Sequence, residues 1–378
     1  MAEETLIEIK DLVVRFYTYA GVVEALDGIN LKIKPGEILG LVGETGCGKS
    51  VTSLSILRLV PPPGKIESGK IILNKRDGEN LNIVDLDNEL IRKIRGKEIS
   101  MIFQEPKAYL NPVYTVEDQI KESLLLHRKE EFLMRALDSL KKSGKETSFE
   151  AKIYERMLKK PDSILTRFLA KLIPKKVLDE EIRKEVINLL KSVGIADPER
   201  VAKMYPFELS GGMAQRALIA MALSSNPLML IADEPTTNLD VTIQAQILEL
   251  IRQLRENYKS SILYITHDLG VVAEICDRVA VMYAGNIVEV ADVYKLFKSP
   301  LHPYTKGLLG SIPRPGQEFI SIPGTVPSLI NPPKGCRFHP RCQFSMDICR
   351  EIKPNLVEIE KDHFVACHLY QGELKNER

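Results

Sequence analysis

The stretch ILGLVGETGCGKS, Ile38 to Ser50, decides the fold. Its first six residues are continuously apolar or glycine, the pattern of a strand covered on both faces and therefore in the middle of a sheet. Gly43, Glu44, Thr45, Gly46, Cys47, Gly48, Lys49 and Ser50 then fit G-x-x-x-x-G-K-[ST]. The next residues, VTSLSILRLV, keep helical spacing up to the prolines at 61–63. Strand, glycine loop and helix thus follow in order, which is the context that gives this motif meaning. The glycines let successive backbone N–H groups curl round phosphate oxygens at the positive end of the new helix. Lys49 adds a point charge, and Ser50 offers a hydroxyl to Mg²⁺. A glycine turn with an incidental Lys-Ser is the plain alternative, and the flanking strand and helix speak against it. Cys47 reads as a small filler of a variable position, although a thiol at a helix start can be reactive.

Upstream, LIEIKDLVVRF (6–16) alternates apolar and polar residues as a half-buried strand does. Residues from about 112 to 205 read as mostly helical. Between His127 and Glu185 there are 16 Lys or Arg against 11 Asp or Glu, with breaks at Pro161 and Pro174. Such charges usually face water; a basic surface toward lipid head groups or a partner is the alternative. From Leu228 onward come LMLIAD, a helix over TIQAQILELIRQL, then SILYITH and RVAVMYAGNIVEV. Strands alternating with helices define an α/β domain. After about Ala291 the chain becomes Pro-rich, without internal repeats.

At 378 residues, the chain is more than twice a typical domain of about 150, so it holds one large domain with additions or two domains. Apolar residues make up 44% and charged residues 27%, which suffices for a sizeable core. A net charge of +1 gives no overall field for holding a nucleic acid. No stretch approaches the roughly 18 to 20 apolar residues that span a bilayer, and Met1 opens onto AEET rather than onto a basic segment and an apolar run. The chain reads as soluble, unprocessed and cytosolic. Of six cysteines, Cys47 and Cys276 stand apart, whereas Cys336, Cys342, Cys349 and Cys367 crowd the end of the chain. In a reducing compartment such a group suggests metal before disulfide.

A second motif is LMLIADEPTTNLD (228–240). The strand delivers Asp233 at its carboxyl end, where it can hold Mg²⁺ through water, and the adjacent Glu234 can polarise the water that attacks a γ-phosphate. A third is Leu209-Ser210-Gly211-Gly212-Met213-Ala214-Gln215-Arg216, followed by the apolar helix ALIAMAL. Serine and two glycines at a helix start make an anion-binding end or simply a helix cap.

Taken together, these motifs resemble those of the ABC-type ATPases over residues 1 to about 290. The resemblance implies an α/β P-loop NTPase of ABC type with a helical subdomain at about 105–225 and a small metal-bound C-terminal extension at 291–378. ATP would lie on Gly43 to Ser50 and Val51, with Phe16, nine residues before Ala25, stacked on adenine. Gln104 in SMIFQEP resembles the Q-loop glutamine that reaches Mg²⁺ and the attacking water, with Ser50 and Asp233 as further magnesium ligands. His267 in YITHDL resembles the switch histidine, which together with Glu234 and Gln104 would serve catalysis. Thr237, Asn238, Leu239 and Asp240 occupy the D-loop, where many relatives have a small residue in place of Asn238. Ser210, Gly211, Gly212, Met213 and Gln215 would face ATP held by a partner ATPase. One copy of each motif therefore implies a dimer. Ala214 departs from the arginine frequent in close relatives, which puts a surface contact in doubt. The long interval from Gln104 to Ser210 implies an insertion within about 127–185.

SPLHPYTKGLL (299–309) and IPGTVPSLINPPKGCRFHPRC (322–342) resemble the C-terminal part of oligopeptide and dipeptide importer ATPases. Four thiolates accept either zinc or an iron–sulfur cluster, and the usual paired C-x-x-C of a zinc knuckle is absent. The family implies a four-iron four-sulfur cluster on Cys336, Cys342, Cys349 and Cys367. It also implies a second ATPase subunit, two membrane permeases, an extracytoplasmic solute-binding protein, no nucleic acid, and a peripheral place on the cytoplasmic face of the membrane. The expected activity is ATP hydrolysis driving import of di- or oligopeptides. Oligosaccharide import by the same architecture stays open, as does, more remotely, a non-transport ABC ATPase. The cysteine-bearing tail is expected to fold apart from the nucleotide site.

Overall fold

A computed structural model describes residues 5–159, 161, 163, 168, 176–237, 239–312 and 322–371. Asn238 of the expected D-loop and most of residues 160–175 in the expected insertion lie outside the described residues. The chain forms two compact units. The first comprises Met1–Arg95, Leu228–Glu234 and Ile251–Arg378, and the second Gly96–Pro227 and Pro235–Leu250.

In the first unit, β1 (Ile7–Thr18) and β2 (Gly21–Ile33) pair antiparallel. With β4 (Gly64–Asn74) and β5 (Asn80–Asn82), they form a sheet in the order β2-β1-β4-β5. The alternation read in residues 6–16 buries Ile7, Ile9, Leu12 and Val14. It slips at a bulge where Asp11 adopts φ 47°, its N–H donating to Asn30 Oδ1 at 3.1 Å.

The larger sheet is built round β3 (Ile38–Val42), every residue of which is buried. It is flanked in parallel by β8 (Ser261–Ile265) and β9 (Arg278–Tyr283), and β7 (Met229–Asp233) lies parallel beyond β8. A continuous apolar strand with parallel neighbours on both sides is the arrangement its composition demands. RVAVMYAGNIVEV folds as a hairpin of β9 and β10 (Asn286–Asp292). Ala284 and Gly285, at φ 45° and 81°, make its two-residue left-handed turn. The edge continues antiparallel through β12 (His363–Val365) to β11 (Val357–Glu360), so the C-terminal residues complete the same sheet.

The helix after the glycine loop runs Lys49–Ile56, short of the prolines. Arg58 takes φ 50°, its N–H donates to Ser55 O, and the Leu59 N–H reaches Leu54 O at 2.7 Å. These two bonds form a Schellman ending, which satisfies the last carbonyls before any proline intervenes. Farther along, the helix Pro303–Gly310 is capped by His302, whose Nδ1 accepts from the Tyr304 N–H at 3.0 Å. Glu289 on β10 is wholly buried. It accepts the N–H groups of Leu301 and His302 at 2.8 Å and pairs with His363 Nε2 at 2.8 Å.

The second unit holds β6 (Ile99–Ile102) and the helices Val116–His127, Lys129–Lys142, Phe149–Lys159, Lys176–Ser192 and Gly211–Leu223. Helices of the charged segment bury apolar stripes: Phe132, Leu133, Ala136 and Leu140 on one, and Ile182, Val186 and Leu190 on another. Contrary to the expectation from composition, not all of their charges face water. Arg128 and Arg135 both bind Glu131 and Glu185 and stand over the Phe132 ring, a network that lets guanidinium groups cover an apolar stripe.

Candidate functional site

The glycine loop leaves β3 at Gly43 and enters the helix at Lys49. Gly43 has φ 153°, and a Cβ there would lie 2.1 Å from Met282 O. Gly48 has φ 111°, and a Cβ on it would lie 2.9 Å from Ala25 O. Only glycine allows the loop to pass this close to β2 and β9. Lys49 is buried, and its Nζ donates to Gly43 O at 2.7 Å and Glu44 O at 3.2 Å, so the ammonium folds back over its own loop. Thr45, Gly46 and Ser50 are exposed, and Val51 is half-buried. Cys47 is buried, and that burial pushes its thiol above the ordinary range. It is therefore an inert filler, and the alternative of a reactive thiol at the helix start falls away. Phe16 lies half-buried on β1 with its ring against Gly64, where a Cβ would come within 2.6 Å of it.

Beside the loop, Ser50 Oγ donates to Asp233 Oδ1 at 3.4 Å. Burial raises the Asp233 carboxyl above the usual range and the adjacent Glu234 adds to the rise, while the Ser50 hydroxyl works against it. A carboxylate so placed gains from a cation. Glu234 adopts φ 46°, and its N–H is fixed on Ile265 O at 2.9 Å. A left-handed conformation is costly for a glutamate and recurs where geometry is functional. Its Oε1 lies 3.1 Å from Nδ1 of the exposed His267. The first unit thus gathers Ser50, Asp233, Glu234 and His267 round the mouth of the loop.

The remaining residues lie in the second unit. Gln104 is exposed just after β6. Ser210 caps the helix Gly211–Leu223, its Oγ accepting the Met213 N–H at 3.3 Å. Ser210 and Gly211 are exposed, and Gly212 and Met213 are half-buried. Gln215 departs from the expectation, because it is 1% exposed and faces the core. It lies on the same helix face as the glycines but one turn further in, where the fold covers it, and it leaves the exposed group that could meet a partner. Ala214 is also buried. Asp240 caps the helix Val241–Tyr258 through Oδ1, which accepts the Ile243 N–H at 2.9 Å.

In the extension none of the four cysteines is disulfide-bonded; Cys349 and Cys367 are buried, and Cys336 and Cys342 half-buried. The Cys336 N–H donates to Cys349 O at 2.8 Å. Burial, reinforced by the other three thiols, pushes Cys336 up to about 12; burial, with Cys342 and Cys349, pushes Cys367 up to about 11. The fold therefore brings all four into one another's field. Among the described residues no group of three or more His, Cys, Asp or Glu closes into the ligand set of a metal ion.

The tail does not fold apart from the nucleotide site. Arg341, beside Cys342, binds both carboxylate oxygens of Glu44 at 2.7 and 3.1 Å, and the Glu44 N–H donates to Tyr304 Oη at 3.0 Å. Nothing local in the sequence signals this pair, since its members are 297 residues apart.

A buried parallel strand, a glycine loop cradling its own lysine and a carboxylate pair at the end of β7 define a P-loop ATPase of the ABC class. The ABC transporter family model matches residues 26–237, and the model of the oligopeptide/dipeptide transporter C-terminal region matches residues 288–349. The chain is 43% identical to the oligopeptide transport ATP-binding protein OppD of Bacillus subtilis, covering 96% of this chain and 88% of that one. It is 43% identical to the dipeptide transport ATP-binding protein DppD of the same organism, covering 97% and 95%. Among solved structures, the dimeric ATP-binding cassette MJ0796 in a post-hydrolysis state with ADP and Pi matches with a TM-score of 0.55 and 25% identity, covering 76% of this chain and 98% of that one. The chain belongs to the ABC transporter ATP-binding family, in the branch that carries the oligopeptide/dipeptide C-terminal region.

Proposed function

We propose that this chain is the ATP-hydrolysing subunit that powers import of di- or oligopeptides through membrane permeases. The observation that carries the reading is the meeting of Ser50, Asp233, Glu234 and His267 at the phosphate loop. It occurs in a chain whose relatives along nearly their whole length are peptide-transport ATP-binding proteins.

In this reading, Gly43 to Val51 seat the phosphates. Lys49 exchanges its bonds to Gly43 O and Glu44 O for phosphate oxygens, and Phe16 stacks on adenine. Ser50 and Asp233 present hard oxygen donors, which suit Mg²⁺, with Gln104 as the further ligand that family resemblance implies. The ion, when bound, neutralises charge on the phosphates. Glu234 polarises the attacking water, and the 3.1 Å bond to His267 keeps its carboxylate turned toward the reacting phosphate. Ser210, Gly211, Gly212 and Met213 complete the site of a second ATPase subunit, a different homologous chain or a second copy, with Asp240 at the same interface. Two permeases hold the pair at the cytoplasmic face of the membrane, and an extracytoplasmic binding protein delivers the solute. No helix among the described residues is long and apolar enough to cross a membrane itself.

The finer reading of the extension is that Cys336, Cys342, Cys349 and Cys367 hold a four-iron four-sulfur cluster, with zinc as the alternative. The covered, neighbouring placement of the four cysteines supports it, with burial and the nearby thiols raising Cys336 and Cys367, because ligation takes thiolate and relieves that cost. Bound metal would supply cross-links to a segment with little core of its own.

Purification of the chain with its permeases in lipid, followed by ATPase assay with the solute-binding protein, tests the function. Stimulation by peptide-loaded binding protein is expected. Stimulation by an oligosaccharide-loaded one alone would move the reading to sugar import, and nucleic-acid stimulation without permeases would overturn it.

A further inference from the structure

The phosphate loop carries an acidic side chain where its ligand is strongly anionic. Glu44 directly follows Gly43, and its backbone carbonyl is one of the groups holding Lys49. A carboxylate there opposes a triphosphate by like-charge repulsion. The fold answers this charge from the far end of the chain. Arg341, 8% exposed, grips both carboxylate oxygens of Glu44. The guanidinium is itself fixed: Nε donates to Pro323 O at 2.8 Å, Nη2 to Gly324 O at 3.3 Å, and Nη1 reaches Tyr283 Oη at 3.4 Å. It also stands 5.8 Å from the Tyr283 ring centroid. Burial works against its charge, but the bonds to Glu44 and Tyr283 hold its pKa above the ordinary arginine value. A planar fork with all its edges engaged places the carboxylate with little freedom. Tyr304 adds a second hold by accepting the Glu44 N–H.

Tethering alone does not account for this pair. A buried ion pair is a poor tether, since apolar residues of similar size commonly stabilise as well. Its distinctive effect is electrostatic: it neutralises the one acidic side chain of the loop and draws it toward the extension.

We propose that Arg341 is a positioning residue for ATP, masking Glu44 so that the phosphate loop accepts a triphosphate, and that the C-terminal extension is thereby part of the nucleotide site. This rests on the reading of residues 43–51 as the ATP-binding loop.

The test is a charge-suppression series in the full-length protein, with ATP affinity measured by calorimetry in the presence of Mg²⁺ and folding checked by thermal melts. Arg341→Ala unmasks Glu44 and should weaken ATP binding about tenfold, the scale of one unit charge acting at partly solvated range. Adding Glu44→Gln should restore affinity to within about threefold, because the repelling charge is gone. A purely structural role for Arg341 predicts no such rescue. Where Arg341→Ala does not fold, Arg341→Gln carries the same expectation at neutral charge. Unchanged affinity in the folded Arg341 variant, or a double variant as weak as the single one, would overturn the proposal. Lys49→Ala serves as control. If it leaves ATP binding intact, the phosphate-loop reading itself fails; if it abolishes binding while the Arg341 variant binds normally, only the masking role fails.

Discussion

His267 Nδ1 lies 3.1 Å from Oε1 of Glu234, and the Glu234 backbone sits in the left-handed region with its N–H on Ile265 O. The carboxylate is thus oriented from two directions, by its strained main chain and by the imidazole. Such orientation suits the part proposed for Glu234, presenting a lone pair to water, while Asp233 with Ser50 is proposed to hold the cation.

Glu234→Gln keeps the side-chain shape and removes the base. ATP binding should persist while turnover in the assembled complex falls about a thousandfold or more, equivalent to several kcal/mol of transition-state stabilisation. Single-turnover hydrolysis of bound ATP is the measurement, and near-normal rates would refute the role assigned to Glu234.

Ser210 and Asp240 belong to the second unit and Ser50, Asp233, Glu234 and His267 to the first, and the proposed reading assigns Ser210 to a partner's site. The isolated chain should therefore hydrolyse ATP poorly, gaining activity with protein concentration and with its permeases. Specific activity measured across a dilution series decides this; a monomer fully active at high dilution contradicts it.

Cys349→Ser should lower the metal content and make the tail more sensitive to protease. The sequence alone suggested that ATP binding would be untouched. Arg341 adjoins Cys342 and grips Glu44, so ATP affinity should weaken as well. Wild-type protein purified without oxygen should be brown with about four irons per chain. Colourless protein with one zinc per chain would replace the cluster with zinc, and an ordered tail with four metal-free thiols would remove both.

Acid should loosen the extension. Burial lowers His302 from 6.5 to about 4, with Glu289 opposing that shift and Lys306 adding to it; His363 lies against the same Glu289. The folded pKa is depressed, so the unfolded chain binds more protons between these values. The contribution is therefore present above about 6.5 and lost as pH falls toward about 4. The melting temperature should drop between pH 7 and pH 5, and His302→Asn, which can still cap the helix, should flatten that slope. An identical slope in the variant would assign the acid sensitivity elsewhere.

The core of the site was legible because its signals are local. The run at Ile38–Val42 is apolar throughout because β3 has sheet neighbours on both sides, and the loop glycines are dictated by Met282 O and Ala25 O lying where side chains would be. Gln215 misled because Ser210 and Gly211 at the helix start are exposed, whereas Gln215, one turn further along the same face, is covered by the fold. The helix after the loop ended early because Arg58 could take a left-handed ending, which nothing in the residue type announces. The pair Arg341 and Glu44 was illegible for a different reason: it is a product of topology, joining segments 297 residues apart.

Glu289 gives the extension a permanence of its own. Its carboxylate is sealed from solvent, and one of its three partners, His363, comes from the last strand of the sheet. A chain cut short before that strand would keep every ATP motif yet strand a carboxylate in the interior with only two amides to answer it. The tail is in this sense no appendage that can be trimmed to leave a minimal ATPase. Shortened versions are expected to fail through insolubility rather than slow chemistry.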